Sequence, residues 1–413
     1  MIYSKKFPSG LRMVVKQMDG LLSVSMGVLV GTGSCFETKE ENGISHFIEH
    51  MMFKGTEKRN AFEISDAMDR IGAQVNAFTS KDITCYYAKS TSDHAGEAFE
   101  ILSDFVLGSV FPEEEMEREK GVVLEEIAMN EDTPDDLCFD VLSEAYFGDE
   151  GYGRTILGPA ANVKGFSRDD LFRYIGERYA PENIVVSFAG CIGVETAEKL
   201  VEKYFESALK SRAFAQRKKP VSLSRRSLFK YKDIEQVHIA LAYPSLPREH
   251  ELMDAVQVMN TILGGGMSSR LFQKVREQMG LAYTVYSYPS FFTEGGMLTV
   301  YAGVNPANTE KAKGAILDTI ESFRREKFTR EEFERGKEQI KSSLIFAQEN
   351  TASQMLLYGK HMLYNGCVPD LEKRVKDLDA MTMEMCEEAL ALNFRAEDMA
   401  AAAVGKIKAP LAF

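Results

Sequence analysis

The chain has 413 residues, enough for two to four domains at roughly 100–200 residues each, and its 45% hydrophobic, 27% charged composition is that of a globular protein. Lys and Arg number 49 against 62 Asp and Glu, and the net charge of −13 argues against a general binder of nucleic acid or anionic membranes, both of which need a basic footprint. No run approaches the ~18 apolar residues of a membrane span. The first residues, MIYSKKFPSGLRMVVKQ, lack signal-peptide features, and six scattered cysteines read as reduced thiols, so a soluble, cytoplasmic protein without nucleic-acid or membrane partners is expected.

In chain order, strand-like runs at 13–15 and Ser23–Val30 precede a helix. Two more runs, Gln74–Thr79 and 83–88, lead into amphipathic helices, and a helix–loop–strand finish ends on IVVSFAG (184–190). The same order then recurs. Strand-like runs at 237–242, 284–288 and 296–302 are followed by helices and by MAAAAVG (399–405). The text of the sequence repeats as well: YAKSTSDHAGEA from Tyr87 matches YAGVNPANTEKA from Tyr301, and FPEEEMEREK from Phe111 matches FTREEFERGK from Phe328. An almost constant spacing means two homologous halves, 1–210 and 228–413, joined by a basic, Pro-containing linker over 211–227. Alternating helices and hairpin-like strand pairs predict an α+β fold, a layered sandwich built twice.

The sharpest motif lies in the first half. In HFIEH, His46 and His50 stand at i and i+4, so a helix places both imidazoles on one face, and Glu49 lies near that face, able to reach a metal-bound water. The pattern H-x-x-E-H is the inverted zincin motif of zinc peptidases. At the repeat spacing the second half has Asn260, Leu263 and Gly264 in place of these three groups. A structural role would persist in both copies, whereas chemistry needs only one.

Catalytic zinc takes three protein ligands and a water. In the helix-like stretch 115–130, Met116, Val122, Val123, Leu124, Ile127 and Met129 define an apolar arc that also contains Glu119 and Glu126 but not Glu125. A carboxylate on a buried face is costly unless it is paired or binds metal, which makes Glu126 the third ligand and Glu119 a support for a histidine. At the equivalent positions the second half has Gly336 and Ser343. His94, His238, His250 and His361 have no partner at ligand spacing and read as ordinary surface or core residues.

HFIEHMMFKGT, VVLEEIAMNEDTPDD and LGGGMSSRLFQKVREQMGLAYTVYS, in this order, make the chain similar to the M16 family of zinc metallopeptidases, most of all to its processing-peptidase-like subfamily. The resemblance covers essentially the whole chain. It implies His46, His50 and Glu126 as ligands of one Zn2+ per chain and Glu49 as the general base. It also implies a substrate-binding edge strand at Asn76, Ala77, Phe78 and Thr79, to which an extended peptide adds. From the second half it implies Arg276 and Tyr283 as residues that hold substrate and the developing oxyanion, and a glycine-rich loop at Gly264, Gly265 and Gly266 that contacts substrate. Phe47 and Phe78 are candidates for an apolar side-chain pocket. The family's halves close like a clam shell around a chamber, and family analogy favours a homodimer.

The function expected is therefore a zinc endopeptidase acting on peptides or unfolded segments. Two rivals stand beside it: a non-catalytic partner subunit of a homologous peptidase, and a dedicated protease that removes a leader from one precursor.

Overall fold

In a computed structural model, described over residues 1–209, 214, 217 and 223–412, the chain forms two compact units. The first contains the described residues of Met1–Ile127, Thr155–Lys219 and Ile345–Asp370, and the second those of Ala128–Arg154, Pro220–Leu344 and Leu371–Phe413. The linker expected over 211–227 lies for the most part outside the described residues, and its last residue, Ser227, already begins a strand.

The strands are β1 (Ile2–Lys6), β2 (Arg12–Gln17), β3 (Ser23–Val30), β4 (Gln74–Thr79), β5 (Thr84–Thr91), β6 (Ile184–Gly190), β7 (Ser227–Tyr231), β8 (Val237–Ser245), β9 (Ala282–Phe291), β10 (Gly296–Val304) and β11 (Ala400–Gly405). The helices are α1 (Ile44–Met51), α2 (Ala61–Arg70), α3 (Ala95–Gly108), α4 (Glu113–Asp132), α5 (Pro134–Phe147), α6 (Ala160–Gly165), α7 (Arg168–Arg178) and α8 (Val194–Val201). They continue with α9 (Met253–Gly264), α10 (Thr309–Glu326), α11 (Arg330–Ala347), α12 (Thr351–Asn365), α13 (Leu371–Ala380) and α14 (Met383–Asn393). No described helix is long and apolar enough to cross a membrane.

The first unit's sheet has the order β1-β2-β6-β3-β5-β4, with β2 and β6 parallel and the other pairs antiparallel. The second has β7-β11-β8-β10-β9, with β7 and β11 parallel and the rest antiparallel. Strand for strand the second repeats the first without β1, so that β2-β6-β3-β5-β4 corresponds to β7-β11-β8-β10-β9, as the sequence repeat implies. The edge strands β1 and β7 escape a reading by periodicity because short stretches such as IYSKK and SLFKY are only half-buried.

Alternation along a strand explains the layers. Val24, Met26, Val28 and Val30 of β3 face a core shared with Phe47 of α1 and Phe99 of α3. The intervening Ser25, Gly27 and Leu29 face α12, a helix from the second sequence half. Small residues let it approach closely: a Cβ on Gly27 would run into the Met355 sulfur, and one on Gly359 would lie 2.6 Å from Leu29 Cδ1. Polar pairs fix its position, with the Ser25 and Thr351 hydroxyls 2.9 Å apart and Ser187 Oγ donating to the Met355 carbonyl at 2.7 Å. Arg12 donates to the carbonyls of Met362, at the last turn of α12, and Glu182 at 2.8 and 2.9 Å. In the second unit the reverse holds. Ala240 and Ala242 of β8 stand opposite Ala402 and Ala400 of β11, and helix α5, from the first sequence half, packs across these two strands. Each unit thus takes one helix from the other sequence half.

Candidate metal centre and active site

Helix α1 buries Ile44, Phe47, Ile48 and Met51 in the first core. That apolar stripe leaves His46, Glu49 and His50 on the remaining arc, and one turn of helix brings the two imidazoles to a centroid distance of 4.6 Å. Helix α4 supplies the third group. Glu126 Oε2 stands 3.5 Å from His46 Nε2 and 3.4 Å from His50 Nε2, and the three ligand atoms all lie within 4.8 Å of one another. Among the described residues this is the one His/Cys/Asp/Glu group with such convergence.

The arrangement fits zinc. Zn–N and Zn–O bonds of about 2.0–2.1 Å in a tetrahedron put neighbouring ligand atoms about 3.3–3.4 Å apart, close to the two separations found. Glu126 Oε2 is buried and has no hydrogen-bond partner, a costly condition for a carboxylate oxygen unless a cation meets it. Three carboxyl groups, Glu49, Glu119 and Glu126, gather around the two imidazoles, and the Lys54 ammonium pairs with Glu119.

The surrounding groups prepare the ligands. His50 Nδ1 is 2.8 Å from Glu119 Oε1, so the ring proton belongs on Nδ1 and the Nε2 lone pair faces Glu126. Glu119 Oε2 in turn pairs with Lys54 at 2.6 Å. Burial alone would raise the Glu119 carboxyl, but the hydrogen bonds of His50 and Lys54 outweigh it and hold it below the usual carboxylate range. Burial likewise opposes protonation of His50, yet the hydrogen bond and charge of Glu119, with the charges of Glu126 and Glu49, move it upward. For His46, burial and then the neighbouring His50 push the imidazole down to about 3, so it is neutral at pH 7. Burial raises the Glu49 carboxyl, an effect partly offset by the Thr79 hydroxyl, which donates to Glu49 Oε2 at 2.5 Å.

Other expectations meet the structure differently. On α4, Met116, Glu119 and Val123 are buried, but Val122 and Met129 are 51% and 68% exposed, so the buried face is narrower than the arc read from sequence. Glu126 lies at its border, its side chain 40% exposed although Oε2 is not. Phe47 has no exposed surface and packs against Phe166, so it is a core residue and lines no pocket. Asn76, Ala77 and Phe78 do lie on an edge strand, β4, whose outer side no described strand covers. Phe78 is half-buried beside Tyr87, with the Lys360 ammonium over its ring.

The remaining predicted residues belong to the second unit. Gly264 ends α9 where a Cβ would collide with Ser287, whose backbone nitrogen would be 2.5 Å away, so this glycine serves helix–sheet packing. Gly265 and Gly266 are exposed. The Arg276 guanidinium lies 4.7 Å from the ring centres of both Phe272 and Tyr283, and Tyr283 is 75% exposed. They line a cavity of about 440 Å³ with Gln236, Asn305 and Asn308. His238 is bound to the Tyr301 hydroxyl, and His250 accepts from the Leu252 N–H. Sequence reasoning missed Lys54 and the role of the Thr79 hydroxyl. Lys54 lies beyond the end of α1 and meets Glu119 on α4, so nothing local marks it, and nothing local marks Thr79.

The family model described as Insulinase (Peptidase family M16) matches residues 12–160, and that described as Peptidase M16 inactive domain matches residues 165–340. His46, Glu49, His50 and Glu126 all fall in the former. The chain is 42% identical over 396 residues, 96% of each chain, to the Bacillus subtilis protein named uncharacterized zinc protease YmxG. It is 38% identical over 363 residues, 86% of this chain and 79% of the other, to the Streptomyces coelicolor protein named uncharacterized zinc protease SCO5738. Its fold is similar to the crystal structure of a protease from Helicobacter pylori, with a TM-score of 0.90 at 21% identity over 98% of this chain and 99% of that one.

Proposed function

The chain belongs to peptidase family M16, and from that premise we propose that it is a zinc-dependent endopeptidase, binding one zinc ion per chain and cleaving peptides or unfolded segments held in extended form. The observation that carries the reading is the convergence of His46 Nε2, His50 Nε2 and the orphaned Glu126 Oε2 within 4.8 Å. Zinc bound by these atoms would supply an acidified water, with a pKa near about 7, and polarise the scissile carbonyl.

The chain's own groups do the rest. Glu49 accepts the proton of the attacking water and returns it to the leaving amine. A carboxyl raised by burial suits both tasks, since its proton affinity moves toward that of the groups it serves, and the Thr79 hydroxyl keeps its oxygen oriented. The exposed side of β4 offers backbone N–H and C=O groups to an extended peptide, which gives affinity with little sequence choice. For Arg276 and Tyr283 the proposal is a substrate-holding role, supported by an exposed phenol and a guanidinium fixed between two rings. The test is Glu49→Gln: it should retain zinc and lose peptide cleavage by a factor of about 100 to 10,000. A variant that still cleaves at the wild-type rate would remove Glu49 from the reaction.

A further inference from the structure

The loop that enters α1 contains a carboxylate with no part in the chemistry above. Glu37 is 5% exposed, and its side chain points at the start of the helix that carries His46, Glu49 and His50. Its Oε1 accepts the backbone N–H of Ser45 at 2.9 Å, and its Oε2 accepts the backbone N–H of Gly43 at 2.8 Å and the Asn42 side-chain amide at 3.0 Å. Two of these donors, the N-terminal flanking Gly43 and Ser45 within the first turn of α1, are N–H groups with no partner inside the helix.

The usual solution is a Ser, Thr, Asp or Asn as the residue immediately before the helix. Here that residue is Gly43, with φ at 99° and no side chain to offer. A side chain would not fit: a Cβ on Gly43 would lie 2.5 Å from the Leu157 carbonyl oxygen and 3.1 Å from Gly158 Cα. The cap must therefore come from elsewhere in the chain. Neighbours hold the same turn. Asn42 also donates to the Thr155 carbonyl at 2.9 Å, and the Ser45 hydroxyl is 2.9 Å from the Tyr174 hydroxyl.

We infer that Glu37 is a positioning residue of the metal centre: by capping α1 from outside the helix it fixes the axial position and rotation of the turn on which His46 stands. Ser45, which it holds, immediately precedes His46. Burial raises the Glu37 carboxyl, and the hydrogen bonds from Asn42, Ser45 and Gly43 that hold it against α1 oppose that rise. The inference rests on the zinc reading of the site.

The test uses the full chain as wild type, Glu37→Gln, Glu37→Ala and Asn60→Ala. The last removes the cap of α2, where Asn60 accepts the Glu63 N–H at 2.9 Å, and serves as a control for loss of a cap. Three quantities are read: zinc affinity by competition with a chelator, kcat and KM at saturating zinc, and melting of the metal-free protein. Glu37→Gln keeps the shape but puts an amide N–H against a backbone N–H. It should weaken zinc binding about 10–100-fold and lower kcat with KM little changed. Asn60→Ala should lower the melting temperature and leave zinc affinity as it is. Should Glu37→Ala fail to fold, Glu37→Gln decides alone. Wild-type zinc affinity and kcat in Glu37→Gln would overturn the inference while leaving the zinc reading intact. A wild type that binds no zinc would overturn both.

Discussion

Replacing Glu119 by Gln isolates the support of one ligand without touching the ligands themselves. The carboxylate is 4% exposed, accepts the Nδ1 proton of His50 at 2.8 Å and pairs with Lys54 at 2.6 Å. An amide of the same shape has two orientations, and each loses something. With its oxygen toward His50 it keeps that bond but sets an N–H₂ against the Lys54 ammonium. Turned round, it asks Nδ1 for a lone pair and so moves the ring proton to Nε2, the atom that faces Glu126. Lys54, 28% exposed, can turn to water, so the first orientation dominates and the protein stays folded. What is lost is the charge that made the imidazole a stronger donor. A decrease of about 10–100-fold in zinc affinity follows, or about 1.4–2.7 kcal/mol. Competition with a chelator of known zinc affinity measures it, with thermal melting of the metal-free protein as a check on folding. An unchanged zinc affinity would refute the reasoning that Glu119 sets the tautomer and basicity of His50.

Two further outcomes are expected. Thr79→Val removes the hydroxyl that donates to Glu49 while keeping the strand, and should lower kcat by about 10-fold with zinc affinity and KM retained; steady-state kinetics on a short peptide decide it. In the second unit Glu332 receives two bonds of 2.8 Å from Arg270, which first among its causes holds its carboxyl down to about 2 from an ordinary 4.5. A depressed carboxyl stabilises the fold above about pH 4.5 and loses that contribution as pH falls toward 2. With allowance for solvent around the pair, Glu332→Gln should cost about 1–2 kcal/mol at pH 7. The deficit should shrink steadily in urea melts run from pH 5 down to pH 3; a deficit that grows with acidity would contradict the assignment.

How much of this was legible in the sequence depends on whether a feature is local. His46, Glu49 and His50 could be read because helical geometry turns a spacing of four into a shared face, and α1 has that geometry. Glu119 and Glu126 could be placed on one helix by the same logic, although the face proved narrower, since Val122 and Met129 are exposed. The repeat predicted two similar sheets, and β2, β6, β3, β5 and β4 do recur as β7, β11, β8, β10 and β9. The destinations of α5 and α12 could not be read. Their periodicity says only that each has an apolar face, while the stripe that receives α12, Ser25, Gly27 and Ser187, comes from strands far away in the chain. Phe47 shows the converse: an aromatic residue next to a ligand is a candidate for an apolar substrate pocket in the sequence, whereas α1 needs it to hold its own place in the core. Glu37 and the Thr79 hydroxyl belong to no spacing pattern and become visible only once the loop and strand meet α1.

The most direct test of the account is zinc added stepwise to the metal-depleted protein while hydrolysis of a broad peptide library is followed. Activity should rise in proportion to zinc and level off at one equivalent per chain, and Glu49→Gln should take up the same equivalent without cleaving. A wild-type chain that holds its zinc and hydrolyses no peptide would contradict the claim that these residues form a working peptidase site.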